Sequence, residues 1–255
     1  MKIILSPAKK MHQKADDLEV AALPRFLPEA EQLLGALRQL SYAQLKALWR
    51  CSDAIARQNA ERLAHMDLRR GVTPALFSYD GIQYRHMAPG VFTGPQFGYA
   101  QAQVRILSGF YGLLRPFDGV TPYRLEMQAK LAVGKSRNLY AFWGGKLAQA
   151  LCEEEGERPC ILNLASKEYS SAVEGFLPPS ARFVTCKFLE ETNGKAAEKG
   201  TLCKMARGEM ARYFIVRGAE APEAAKEFTG LGFRFLPERS NNTTYVFWRQ
   251  GKGRA

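Results

Sequence analysis

Between Cys160 and Leu164 the chain reads CILNL, followed at once by Ala165-Ser166. An apolar run of this kind does not alternate between core and solvent. It suits a strand covered on both faces of a central sheet, and such a strand needs helices on either side. KIIL at 2–5, closed by Ser6-Pro7, reads as another short strand. RILSG at 105–109 reads as a strand ending in a glycine turn, TPYRLEM at 121–127 reads as another strand, ARFVTCKFL at 181–189 alternates and is a strand, and FRFLPE and TTYVFWRQ supply closing strands.

Helical patterns lie between these strands. PEAEQLLGALRQL, from Pro28, places Leu33, Leu34 and Leu37 on one face and has proline in its first turn. Ser41 and Gln44 form a capping-box pair before a short helix carrying Leu45 and Leu48. The chain turns at Trp49-Arg50-Cys51. Ser52 then caps a helix through Ile55, Ala56 and Leu63 to about Met66, and Asp53 sits where a helix dipole favours negative charge. NLYAFWGGKLAQALCEEE is helical from Leu139, although Gly144-Gly145 interrupts it, and CEEEGER at 152–158 reads as a solvated helix end. LCKMARGEMARYFIVRG offers Met205, Met210 and Phe214 to the core. Residues 73–104, rich in Tyr, Phe and Gly, receive no assignment. The interleaving predicts a mixed α/β (α+β) fold, one compact domain over 1–255 with a mixed sheet and surrounding helices.

With 255 residues and 46% apolar content the chain can bury a sizeable core. No apolar run reaches the ~18 residues of a membrane span. The N-terminal apolar stretch is only Ile3 to Leu5, too short for a signal peptide, so a cytoplasmic location is expected. Five cysteines without a CxxC pair, and three histidines without HxH or HExxH spacing, predict reduced thiols, no metal and no cofactor. Charge is more telling. Thirty-six Lys and Arg against 25 Asp and Glu give +11, a balance that suits a polyanionic partner. Residues 1–14 hold four Lys and no acid, and residues 101–150 hold seven basic residues and two acids.

Four stretches bear candidate site residues. LWRCSDAIA, 48–56, occupies the slots of a helix-hairpin-helix, in which two glycines let the backbone approach a phosphate bound by free helix amides. Here Arg50 and Ser52 replace the glycines around Cys51, with Trp49 and Asp53 flanking them. Arg50 brings charge and Ser52 a small hydroxyl. An ordinary helical hairpin packing Leu45, Leu48 and Ile55 fits the same letters. SPAKK puts Ser6, Lys9 and Lys10 at a strand end, where α/β proteins bind ligands, and a basic surface loop is the plainer alternative. The turn-rich stretch 105–127 offers Arg115 and Arg124 to phosphates and Tyr111 and Tyr123 to bases; Asp118 or Glu126 pairing with a nearby Arg is the plainer alternative. Lys167 and Glu168 follow the apolar strand, while Lys204 and Arg207 lie one helical turn apart and share a face.

No Walker motif, GxGxxG, GxSxG, Ser-His-Asp signature or paired acids at a defined site are present. Catalytic residues therefore stay unassigned, and a binding protein is expected before an enzyme. The alternative is an enzyme that processes nucleic acid or a modified base with a cleft lysine. Lys9, Asp118, Lys167 and Lys204 are its candidates.

MKIILSPAKKM, LWRCSDAIARQNAERL, RILSGFYGLLRPFDGVTPYRLEM, LNLASKEYSSAV, KMARGEMARY and GFRFLPERSNNTTYVFWR follow one another along nearly the whole chain. Together they resemble the YaaA family, bacterial proteins associated with peroxide stress. The resemblance implies a single compact mixed α/β domain with a basic cleft and a helix-hairpin-helix element, here at 41–66. It implies binding to DNA, double-stranded or branched, guided by structure more than by sequence. It also implies protection during hydrogen peroxide stress, with lower free intracellular iron. No membrane association is expected and no protein partner is inferable.

Overall fold

The computed structural model describes residues 1–13 and 19–251. Lys14, the last of the N-terminal lysines, lies outside the described residues. The central sheet has eight strands: β1 (Lys2–Leu5), β2 (Val104–Ser108), β3 (Gly112–Leu114), β4 (Cys160–Leu164), β5 (Arg182–Thr192), β6 (Lys195–Ala197), β7 (Arg234–Phe235) and β8 (Thr244–Gln250). Their order across the sheet is β7-β8-β5-β4-β1-β2-β3, with β6 folded back on β5. β8, β5, β4, β1 and β2 run parallel, while β3, β6 and β7 pair antiparallel at the margins. The apolar runs occupy the middle: Ile4 is level with Arg105 on one side and Asn163 on the other. Ile3, Ile4, Leu5, Ile161, Leu162 and Leu164 are fully buried, as strands covered on both faces require.

Nine helices are used below: α1 (Leu27–Arg38), α2 (Tyr42–Trp49), α3 (Asp53–His65), α4 (Ile82–Met87), α5 (Gly94–Gln103), α6 (Leu139–Trp143), α7 (Lys146–Glu155), α8 (Lys167–Glu174) and α9 (Gly200–Arg217). α1 buries Leu33, Leu34 and Leu37, as its spacing predicts. The capping box forms as expected: Gln44 N donates to Ser41 Oγ, and Ser41 N donates to Gln44 Oε1 at 2.8 Å. α9 buries Met210 and Phe214, whereas Met205 is half-buried. No helix among the described residues is long and apolar enough to cross a membrane.

Several local expectations are corrected. Residues 121–127 join no strand ladder. Their alternation survives without one: Tyr123, Leu125 and Met127 are buried, while Arg124 and Glu126 face the other way, half-buried. The segment runs across Gly109, where a Cβ would lie 2.7 Å from the Leu125 carbonyl oxygen. Gly144, at a positive φ of 47°, separates α6 from α7. The acidic stretch at the end of α7 is solvated at Glu153 and Glu157, as expected, but not throughout. Glu154 takes Arg105 Nε at 2.7 Å, and Glu155 takes the chain's amino terminus at 2.9 Å. Residues 73–104 contain a single helical turn at Ala75–Ser78, then α4 and α5, together with two-residue ladders too short to leave a periodic trace.

Candidate functional site

β1 and β4 are neighbours whose onward connections leave in opposite directions: β1 leads to β2 on one flank, β4 to β5 on the other. A crevice forms beyond the carboxyl ends of strands at such a switch point, because the following loops part there. Ser6 and Ser166 are the residues at that opening. Ser166 N donates to Ser6 Oγ at 2.8 Å, and the two hydroxyl oxygens are 3.3 Å apart. Tyr84 of α4 donates its hydroxyl to the Ser6 carbonyl at 3.0 Å. The cleft above them has a volume of about 350 Å³.

Its walls carry both signs of charge. Lys9, Lys10, Arg124, Lys204 and Arg207 line it, and so do Asp80, Glu126 and Glu168. Glu126 is the hub of one wall, with Lys9 Nζ at 2.8 Å and Arg124 Nη2 at 3.1 Å. Glu168 accepts from Gln128 N at 3.3 Å. Burial pushes its carboxyl above the ordinary range, and the nearby charge of Glu126 adds to the rise, while the Gln128 amide and Lys9 oppose it. Asp80 is held by Arg85 Nε, Lys10 Nζ and His12 Nε2, each at 2.9 Å. These contacts, Arg85 foremost, keep its carboxyl far below the usual range. On α9, Arg207 reaches only Glu198, 3.8 Å away, and Lys204 has no ionic partner among the described residues. The buried Nε atoms of Arg124 and Arg207 have no hydrogen-bond partner among the described residues.

α2 and α3 form a helical hairpin through residues 50–52. Arg50 closes α2 in a left-handed conformation at φ 46° and is exposed. Ser52 occupies the N-cap position with extended backbone, but its side chain makes no capping bond. Asp53 instead ties the hairpin together: its carboxylate accepts from Tyr42 Oη at 2.7 Å, Lys46 Nζ at 2.9 Å and Arg57 Nε at 2.7 Å. These bonds, Lys46 first, lower its pKa. Trp49 and Leu45 are buried, whereas Ile55 is 41% exposed and does not pack the hairpin as expected. A second hollow, about 470 Å³, lies between Trp49-Arg50 and residues 128–132, and Glu126 also lines it.

The structure thus gathers Ser6, Lys9, Lys10, Arg124, Lys204 and Arg207 into one cleft, with Trp49 and Arg50 beside the adjoining hollow. Cys51, Ser52 and Asp53 lie at the hairpin turn. Arg115 stands apart, 3.6 Å from Glu154, and Lys167 begins α8 exposed, outside the cleft lining. Tyr111 and Tyr123 are not open to bases. Both are buried, with hydroxyls bonded to Thr121 and to Ser108 and Tyr79 respectively. Two acids, Glu126 and Glu168, share the cleft although no spacing in the sequence pairs them. Asp80 and Tyr84 escaped sequence reasoning because they lie in the unassigned region; the only local signal was their polar and aromatic content among glycines.

Comparison with known proteins finds relatives over nearly the whole length. The family described as peroxide stress protein YaaA matches residues 1–239. A UPF0246 protein of Agathobacter rectalis is 46% identical over 250 residues, covering 98% of this chain and 99% of its own. A UPF0246 protein of Lactiplantibacillus plantarum is 47% identical over 247 residues, covering 97% and 98% respectively. That of Lachnoclostridium phytofermentans is 47% identical over 247 residues, covering 97% and 96%. With the strand-end cleft and the α2–α3 hairpin lying inside the matched span, the chain belongs to the YaaA family of peroxide stress proteins.

Proposed function

We propose that this family member binds the phosphate backbone of DNA, double-stranded or branched, through the α2–α3 hairpin and the cations along the neighbouring cleft. The observation that carries the reading is the exposed Arg50 at the hairpin turn, on a hollow that adjoins the cleft bearing Lys9, Lys10, Arg124, Lys204 and Arg207. The first amides of α3 lack helical partners by position, which suits a phosphate oxygen. A net charge of +11 draws such a polyanion from a distance. Shielding DNA from iron-linked oxidation is the physiological outcome we attach to this binding.

Fluorescent duplex and branched DNA, titrated across a salt series, test the reading. Affinity falls steeply with salt, because displaced counterions drive association. Arg50→Glu weakens binding and flattens the salt dependence. Equal affinity of wild type and variant removes the hairpin from the interface, and no binding at low salt ends the proposal.

A base-processing enzyme is the second reading, favoured by Lys204, which lines the cleft without a carboxylate partner among the described residues. Borohydride trapping on abasic DNA tests for its Schiff base. Absence of an adduct disposes of it.

A further inference from the structure

A surface that only tracks a phosphate backbone gains nothing from carboxyls in its lining. The cleft beyond β1 and β4 is lined by two half-buried glutamates, Glu126 and Glu168, together with Asp80 and the apolar side chains of Pro7, Ala8 and Ile82. Two buried polar atoms in this one cleft, Arg124 Nε and Arg207 Nε, lack hydrogen-bond partners among the described residues, and a third, Glu126 Oε1, is ion-paired with Arg124 Nη2 at 3.1 Å without a hydrogen bond. Native proteins leave few such groups unpaired, and a cluster of them around a cavity marks where a ligand supplies the missing partners. The unmet donors, and Lys204 without an ionic partner among the described residues, call for an anion, and Glu126 Oε1, ion-paired but not hydrogen-bonded, can still accept an N–H.

We propose that the cleft binds one nucleoside monophosphate unit, its phosphate on Lys204 and Arg207, its base against the apolar patch of Pro7, Ala8 and Ile82 with its polar edge read by Glu126 and Glu168. The two carboxyls are unlike, as a base edge with donor and acceptor side by side requires. Glu126 is held by Lys9 and Arg124 and accepts from an exocyclic N–H. Glu168, pushed up by burial and by the charge of Glu126, holds a proton for a ring nitrogen more readily than a free carboxyl does. The cavity, about 350 Å³, falls within the range of roughly 300–1,000 Å³ typical of small-molecule sites. Free nucleotide and an unpaired nucleotide of a DNA strand present the same unit.

Calorimetric titration of the full chain with AMP, CMP, GMP, UMP, ribose 5-phosphate and inorganic phosphate tests this. Free mononucleotides are too small to bridge to the hairpin, so the titration reads the cleft whether or not duplex binding holds. At least one nucleotide is expected to bind saturably, about tenfold or more tighter than ribose 5-phosphate. Lys204→Glu weakens it about tenfold or more, as loss of a charge-assisted contact should. Glu168→Gln, with an unchanged melting temperature, narrows the gap between nucleotide and ribose 5-phosphate. Ribose 5-phosphate binding as tightly as every nucleotide overturns the base-reading half, and no binding of any probe at millimolar concentration overturns the whole. A parallel arm compares a fully paired duplex with one carrying a single unpaired nucleotide. A preference for the latter that Glu168→Gln abolishes assigns the unit to a DNA strand. Saturable mononucleotide binding without that preference assigns it to the free pool.

Discussion

A Cβ on Gly208 would lie 2.1 Å from the carbonyl oxygen of Gln83, so α9 meets α4 at a distance only glycine permits. Both helices wall the cleft: α4 carries Tyr84, and α9 carries Lys204 and Arg207. Gly208→Ala must push the helices apart because the obstructing atom is backbone. We expect a loss of about 1–3 kcal/mol, the range typical of overpacking, read as a lower urea midpoint at unchanged slope. Wild-type stability in this variant would show that the contact yields without cost.

Asp118 gives the fold a specific acid response. It is buried, accepts from Arg115 N at 2.8 Å, and burial raises its pKa to about 6 against the opposing pull of Arg115 and Arg105. Between about 4 and 6 the folded state therefore binds a proton that the unfolded state has released. This group's contribution falls as pH rises through that window, and the cost is complete above it. Two units correspond to roughly 3 kcal/mol at about 1.4 kcal/mol each. In urea unfolding at several pH values, Asp118→Asn, which keeps an acceptor oxygen, should lack this component and gain on wild type as pH rises. Parallel curves for the two proteins would exclude the assignment.

Ser6→Ala removes the acceptor that Ser166 N uses at 2.8 Å. An amide left unpaired at the mouth of the sheet costs about 1–3 kcal/mol where water cannot replace the lost bond. The expected result is a lower melting temperature together with faster hydrogen exchange of the Ser166 amide. Unchanged exchange at that amide would mean another group takes over.

Asp53→Asn leaves Tyr42, Lys46 and Arg57 without their shared carboxylate. Amides in residues 42–57 should exchange faster as the hairpin loosens. Because a negative charge leaves the start of α3, DNA affinity at low salt should rise despite the loosening. A fall in affinity would show that the ordered hairpin matters more than its charge.

Much of the frame is legible locally. The apolar runs at Ile3–Leu5 and Ile161–Leu164, the capping box of Ser41 and Gln44, and the leucine face of α1 each report a short-range preference, and each appears as read. Burial on both faces of a strand demands continuous apolar residues, and a helix end demands a partner for its free amides; both demands are met within a few residues of chain. Where a local pattern depended on distant partners, it misled. Residues 121–127 alternate like a strand yet join no ladder, and Tyr123 looked free for a base yet is bonded to Tyr79 and Ser108.

The sequence by itself determined a mixed α/β frame with cations following its strand ends. Only the tertiary structure decided that Ser6 meets Ser166, that Glu126 meets Lys9, Arg124 and Glu168, and that α9 brings Lys204 and Arg207 to the same cleft. These groups come from four separate parts of the chain. Their convergence follows from the order β5-β4-β1-β2 and from the close approach at Gly208, and periodicity over a few residues carries no record of either.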